Sequence, residues 1–249
     1  MLLNKKYTIK QSFEAKILFS EFSPKRLLTG IRSHDITILL IELTIGKNLA
    51  ALFFREMSGA CKGGLIYLRK LTVGSPLIDA LVHPLSGSEI SLRDLTDRKK
   101  TAIFFLRDAA CVLTQAYIQE LIGAQELFRR ADTQVLIVVN ASAAGASSVL
   151  SPKKIPYEVI CDSAGTLYTR YGVGSSPNRE QLGDDSTMAC IKNAYDAGFV
   201  HGTDTGDPLR LPALFLFNRS GCAAMVHYGV LGNDLPSAAS LQEVLESLG

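Results

Sequence analysis

The run Thr101-Ala-Ile-Phe-Phe-Leu-Arg-Asp-Ala-Ala-Cys111 decides how this chain is interpreted. Residues 101–106 are nearly all apolar, which predicts a buried strand. Residues 112 to about 130 carry apolar side chains at steps of three and four, which predicts an amphipathic helix. The side chains on that face are those of Leu113, Tyr117, Leu121, Ala124 and Phe128. The order is therefore strand, short turn, cysteine, helix.

Cys111 is placed at the amino terminus of this predicted helix. Free N–H groups and the positive end of the helix dipole stabilise an anion there. A thiolate is such an anion, and it is the nucleophilic form of cysteine. From the residues alone, a reactive thiol and a small, buried and inert cysteine are equally well supported, because free cysteines are often buried.

The pattern on either side predicts an α/β fold. Short strands are expected at residues 79–82 and 89–92, with Ser86-Gly-Ser88 as the turn, and further strands at 134–139 and 157–161. Short helices are expected at 165–171 and 186–197, a hairpin at 213–217 and 223–227, and a closing helix at about 238–248. Strands that alternate with helices and end in a hairpin predict a sandwich with a central mixed sheet flanked by helices.

Charge and composition divide the chain in two and limit its function. Residues 1–62 hold ten Lys and Arg against five Asp and Glu, although the net charge of all 249 residues is only +2. We expect an N-terminal extension of uncertain order at 1–64, and one domain at 65–249. The small net charge gives no case for nucleic-acid binding. The apolar stretch 36–54 contains charged residues, so we do not expect a membrane helix.

The five cysteines do not form a disulfide scaffold or a zinc site. They are Cys61, Cys111, Cys161, Cys190 and Cys222, an odd number with no CxxC pair. With no signal-peptide pattern, these cysteines suit a reducing cytoplasm. We expect Cys161 and Cys222 to be core residues, whereas Cys190 lies in the expected helix at 186–197 and its role stays open.

Two residues accompany Cys111. Pro212 directly precedes the strand at 213–217, and a proline there leaves backbone groups of the site unpaired by the sheet. We expect a cis peptide bond at Pro212, with its ring near Cys111. Thr114 follows Cys111 by three residues, so one helical turn brings its hydroxyl towards the sulfur. The alternatives are an ordinary strand-start proline and a threonine that bonds to backbone or water.

From about residue 73 to 248 the chain resembles the peroxiredoxin-like branch of the thioredoxin-like superfamily, the alkyl hydroperoxide reductase / thiol-specific antioxidant group. The resemblance rests on blocks in a fixed order: Gly74-Ser-Pro76, Ile103-Phe-Phe-Leu106, Pro156-Tyr-Glu-Val-Ile-Cys-Asp162, Leu167-Tyr168, Tyr171-Gly-Val173, Gly206-Asp-Pro-Leu-Arg-Leu-Pro212 and Phe215-Leu-Phe-Asn-Arg-Ser-Gly221. It implies a thioredoxin-like fold and a redox-active cysteine of antioxidant type.

The motif departs from that family. Typical peroxiredoxins carry Thr-x-x-Cys, whereas this chain has Cys111-Val-Leu-Thr114, with the two residue types exchanged. Pro212 falls where many peroxiredoxins have an arginine. Arg107 and Arg210 are the candidates for supplying positive charge, with Arg107 the one assigned to the site.

These observations lead to two hypotheses of different classes. In the first, the chain is a thiol-dependent oxidoreductase or peroxidase in which Cys111 attacks a peroxide or a disulfide. An external thiol or a thioredoxin-like reductant then regenerates it, and no metal, flavin or nucleotide cofactor is expected. In the second, the chain is a non-catalytic thioredoxin-like interaction module, which a sealed Cys111 sulfur would favour. The sequence leaves a homodimer open.

Overall fold

The computed structural model describes residues 70–151 and 154–247. The predicted extension at 1–64, including Cys61, lies outside these residues, so the proposed domain boundary stays a prediction. The strands are β1 (Leu81–Val82), β2 (Ile90–Ser91), β3 (Lys100–Phe105), β4 (Thr133–Val139), β5 (Glu158–Cys161), β6 (Ala213–Phe217) and β7 (Ala223–Tyr228). The helices are α1 (Leu92–Thr96), α2 (Val112–Gly123), α3 (Gln125–Arg130), α4 (Ala143–Leu150), α5 (Thr166–Arg170), α6 (Asp185–Asp196) and α7 (Gln242–Ser247).

A five-stranded mixed sheet forms the centre, with strand order β5-β4-β3-β6-β7. Strands β3, β4 and β5 are parallel, whereas β6 is antiparallel to β3 and β7 is antiparallel to β6. Strands β1 and β2 form a separate antiparallel pair. The predicted α/β sandwich with a mixed sheet is therefore confirmed.

The core has two layers because neighbouring β3 side chains point to opposite faces. Ala102 and Phe104 pack on the face that α2, α3, α4 and α7 cover. Ile103 and Phe105 pack on the other face, beneath α1 and α5. On that second face, the Phe105 ring packs against three aromatic rings, those of Tyr168, Tyr171 and Phe215. All six β3 residues are buried, so the strand that leads to Cys111 is rigidly held.

Two helices differ from the sequence prediction. The helix expected from 112 to about 130 is broken at Ala124, whose φ of −91° and ψ of 10° lie outside the helical region, so α3 starts afresh. The closing helix begins later than expected, because residues Ala239–Leu241 form a 3-10 turn before α7. Phe128 of α3 and Leu245 of α7 are both buried in the core.

The segment between α5 and β6 folds back over the end of the sheet where β3 leads into α2. Its helix, α6, packs beside α2. It begins with a capping box, in which Asp184 accepts from the Thr187 backbone and Thr187 accepts from the Asp184 backbone. None of the helices in the described part of the chain has the length and apolar run that a membrane crossing needs.

Candidate active site

Cys111 is the N-cap residue of α2. Its backbone is extended, with φ −68° and ψ 131°, and its side chain makes no capping hydrogen bond to the helix. The Cys111 N–H donates to the carbonyl of Asp108 at 3.1 Å, which closes the turn after β3. The sulfur therefore lies at the positive end of a twelve-residue helix, as the sequence predicted.

Arg107 is the charged residue at the sulfur. Its Nη1 donates to Cys111 Sγ at 3.2 Å. Its Nε donates to the carbonyl of Arg210 at 3.0 Å, and its Nη2 to the carbonyl of Pro208 at 2.7 Å. Both of these carbonyls lie just before β6. They hold the guanidinium in one orientation, so its third donor group faces the sulfur.

Arg210, the other candidate cation, has a different partner. Its Nη2 lies 3.6 Å from an Asp207 carboxylate oxygen, and its guanidinium stacks on the ring of Tyr168 at 4.8 Å. Burial opposes ionisation of Asp207, but hydrogen bonds from Ser175 and the Leu209 N–H outweigh it and lower the pKa. Arg210 therefore contributes its carbonyl, and not its charge, to the Arg107–Cys111 pair.

Asp108 is a site residue that the sequence analysis missed. It is 2% exposed, and one carboxylate oxygen accepts from the N–H groups of Thr205 and Gly206 at 2.7 and 2.8 Å. The other oxygen accepts from the Ala110 N–H at 2.8 Å. The carboxylate therefore ties the cysteine turn to a segment about a hundred residues later. Only its position in the turn distinguished it in the sequence.

A cavity of about 370 Å³ adjoins the Arg107–Cys111 pair. Its walls come from α2, α6, Pro212 and residues 232–237. Arg107, Thr114 and Cys190 all line it, but Cys111 itself does not. The structure thus brings three of the four predicted site residues, Arg107, Thr114 and Pro212, to one cavity, and Arg107 also contacts the sulfur of the fourth, Cys111.

Thr114 lies in the first turn of α2 and is 3% exposed. Its Oγ1 is buried and has no hydrogen-bond partner among the described residues. A buried hydroxyl without a partner is costly, and such groups are rare in folded proteins. The sequence alternative in which this hydroxyl bonds to the backbone is therefore not what the described residues show.

Pro212 is next to the cysteine turn, as expected, because Phe105 at the end of β3 pairs with Ala213 at the start of β6. The expected cis bond is wrong: all peptide bonds in the described residues are trans. Trans is the lower-energy form of most X–Pro bonds. The Pro212 carbonyl accepts from the Gly229 N–H at 2.9 Å, so the residue is part of the β6–β7 pairing.

The other described cysteines lie in different environments. Cys161 is buried in β5, where burial raises its pKa to about 11, and Cys222 is half-buried beside β7. Cys190 is exposed on α6, and its sulfur lies 3.6 Å from Asn233 Nδ2. Cys111 is only 4% exposed. The described residues contain no group of three or more His, Cys, Asp or Glu side chains that would hold a metal ion.

Comparison with known proteins agrees with this geometry. The AhpC/TSA family model matches residues 73–222, more than half of the chain, so the chain belongs to the AhpC/TSA family. Membership in this family supports a thiol-dependent redox role for the chain. No curated protein sequence is similar enough to count as a match.

Solved peroxiredoxins share the fold at low sequence identity. The chain is similar to a mutant of peroxiredoxin 6 of Arenicola marina, with 14% identity and a TM-score of 0.56, over 72% of this chain and 73% of that one. It is also similar to reduced Prx3 from Vibrio vulnificus, with 13% identity and a TM-score of 0.53, over 71% and 99% of the two chains. A peroxiredoxin-like protein from Aquifex aeolicus gives 12% identity and 0.51, over 73% and 90%. These likenesses confirm a thioredoxin-like fold.

Proposed function

We propose that this protein is a thiol-dependent oxidoreductase of antioxidant type, in which Cys111 is the nucleophile that attacks a peroxide or a disulfide. The observation that carries the proposal is the contact of 3.2 Å between Arg107 Nη1 and Cys111 Sγ at the amino terminus of α2. A hydrogen bond from a cation is stronger when its acceptor is an anion. The contact therefore places a positive charge beside the sulfur that would attack the substrate.

The proposed chemistry is simple. The Cys111 thiolate attacks one peroxide oxygen, the O–O bond breaks, and the departing oxygen takes a proton to leave as an alcohol or water. Cys111 becomes a sulfenic acid, which an external thiol or a thioredoxin-like reductant returns to the thiol. With a disulfide substrate, the thiolate attacks one sulfur and forms a mixed disulfide.

Each of the four predicted residues has a proposed role. Cys111 supplies the sulfur, and Arg107 stabilises its negative charge. Thr114 and Pro212 line the same cavity as Arg107, and their proposed role is to contact the substrate there. Since Thr114 takes the position of the family's reactive cysteine, the sulfur sits one turn earlier than in typical peroxiredoxins. We therefore propose slow peroxide reduction.

One observation favours the second candidate, a non-catalytic interaction module. The Cys111 side chain is 4% exposed, and a sealed thiol is what that hypothesis requires. The adjoining cavity and the contact with Arg107 favour the oxidoreductase, because neither is needed to fill space beside an inert cysteine. The four described cysteines are all free, which suits the reducing cytoplasm that we propose.

Peroxide and disulfide consumption in the presence of excess dithiothreitol tests the proposal. We expect wild type to consume at least one of the two substrates faster than dithiothreitol alone does, and Cys111→Ser to add nothing to that background. Cys190→Ser is the matched control, because it removes an exposed thiol from the same cavity without removing the nucleophile. Equal rates for wild type and Cys111→Ser would support the interaction module instead.

A further inference from the structure

The loop before β6 is held by buried side chains that come from the ends of two strands. The Asp108 carboxylate, just after β3, accepts from the N–H groups of Thr205 and Gly206 at 2.7 and 2.8 Å. Asn140, just after β4, is fully buried, and its Oδ1 accepts from the Asp207 N–H at 2.7 Å. Three consecutive N–H groups of the loop are therefore fixed from inside the protein.

The position of this loop determines where the guanidinium of Arg107 lies. A Cβ built on Gly206 would be 1.9 Å from the Asn140 carbonyl oxygen, so the loop lies directly against the end of β4. Two residues further on, the loop presents the carbonyls of Pro208 and Arg210 to the guanidinium, at 2.7 and 3.0 Å. The contact of 3.2 Å between Nη1 and the cysteine sulfur therefore depends on where the loop is held.

We propose that Asp108 is a positioning residue of the site, which acts on the cysteine sulfur through the loop before β6 and Arg107. The inference rests on the proposed function and adds the residue that keeps its positive charge in place. Asp108 also accepts from the Ala110 N–H at 2.8 Å through its carboxylate, and from the Cys111 N–H at 3.1 Å through its carbonyl. One residue therefore fixes both the turn that carries the sulfur and the loop that orients the guanidinium.

A carboxylate at this position supports a role beyond packing. Burying a charged group is costly unless hydrogen bonds compensate for the lost water, and Asp108 is only 2% exposed. Its two oxygens accept from three backbone N–H groups, and such bonds are stronger to a carboxylate than to a neutral acceptor. An amide in its place would turn its NH2 group towards at least one of these donors. The carboxylate is therefore the side chain that holds turn and loop together.

The test compares an anionic and a neutral alkylating reagent of similar size on the full chain. Cys111 is alkylated by iodoacetate or by iodoacetamide, and the ratio of the two rates, the charge ratio, is measured by mass spectrometry. A positive charge at the sulfur favours iodoacetate, whereas access to the sulfur and protein stability affect both reagents alike. Two unit charges about 4 Å apart in water attract enough to change a rate about fivefold. The charge ratio should therefore fall by about that factor in Asp108→Asn.

The direction of the change separates positioning from the alternatives. If Asp108 acted only through its own negative charge, its loss would raise the charge ratio, because iodoacetate would be repelled less. A purely structural role would leave the charge ratio unchanged, and either result would overturn the proposal. Asp162→Asn is the matched control, because the Asp162 carboxylate also accepts from three backbone N–H groups but lies just before α5. It should keep the wild-type charge ratio.

A second variant keeps the test decisive if Asp108→Asn does not fold. Asp108→Ser keeps a short acceptor for the Ala110 N–H, two residues on, but is too short to hold the loop. It should lower the charge ratio as Asp108→Asn does. In Arg107→Met, which has no guanidinium, Asp108→Ser should lower the charge ratio no further, because residues that act through one another are not additive. A fall of equal size with and without Arg107 would overturn the proposal.

Peroxide and disulfide consumption by the same proteins separates this inference from the proposed function. If wild type consumes a substrate through Cys111 but the charge ratio does not fall in the Asp108 variants, the positioning role is wrong and the proposed function stands. If wild type consumes neither substrate, the proposed function is wrong, and with it the inference that rests on it.

Discussion

Replacing Arg107 by methionine should slow the attack of Cys111 on an electrophile, because the positive charge beside the sulfur is lost. A hydrogen bond to a charged group contributes about 1.5–3 kcal/mol to the state in which it forms. Arg107 is half-buried, and we take the lower end of that range because water screens the charge. Since about 1.4 kcal/mol is a factor of ten in a rate, we expect roughly tenfold slower alkylation of Cys111.

The assay is alkylation of Cys111 by iodoacetamide, read at each cysteine by mass spectrometry. Loss of the large side chain also opens access to the sulfur, so a single rate is ambiguous. The ratio of the rate in Arg107→Met to the rate in Arg107→Lys removes this problem, because both side chains are smaller than arginine and only lysine keeps the charge. That ratio should be about one tenth. The exposed Cys190 is the internal reference.

A matched control separates this contact from general charge effects. Arg179 is exposed on the segment before α6, and no side-chain partner of Cys111 is altered when it is replaced. Arg179→Met should be alkylated at Cys111 at the wild-type rate. Equal rates in Arg107→Met and Arg107→Lys would refute the reasoning, because the reactivity of Cys111 would then owe nothing to the positive charge at 3.2 Å.

Three further predictions follow from the same structure. A chain that starts at Leu65 should fold cooperatively, as followed by circular dichroism, and keep the Cys111 alkylation rate. A molten or insoluble product would show that the domain begins before residue 65. Thr114→Cys should form a disulfide with Cys111 on mild oxidation, since the side chain at 114 lies in the first turn of α2. A thiol titration should then show the loss of two thiols. Persistence of both thiols would show that the two sulfurs do not meet. Cys161 should be the slowest of the described cysteines to alkylate at pH 8, because burial raises its pKa to about 11 and keeps the thiol protonated, and fast labelling there would mean that β5 opens readily.

Much of the fold could be predicted from local pattern. The apolar runs that became β3 and β4 are continuous, as buried parallel strands require, and the hairpin of β6 and β7 follows from two such runs around Asn218-Arg-Ser-Gly221. The adjacency of Pro212 and the cysteine turn follows from the strand order that the family resemblance implies. These features depend on residues close in sequence or on the order of blocks.

The features that could not be predicted depend on residues far apart. The position of the Arg107 side chain is set by carbonyls at Pro208 and Arg210, about a hundred residues later. The burial of Cys111 depends on how the segment before β6 folds back, which Asp108 stabilises through the backbone of Thr205. The Pro212 isomer was wrong because the free-energy difference between cis and trans is small and is decided by tertiary contacts.

The central claim, that Cys111 is the reacting nucleophile, is tested most directly by locating the first oxidation product. The full chain, reduced and freed of thiols, is mixed with less than one equivalent of hydrogen peroxide or of a small aromatic disulfide. The modified cysteine is then identified by tandem mass spectrometry, with dimedone to trap sulfenic acid. We predict that the adduct is on Cys111 and that the fraction modified falls in Arg107→Met. An adduct that appears first on Cys190, or no adduct on Cys111 in either reaction, would contradict the account.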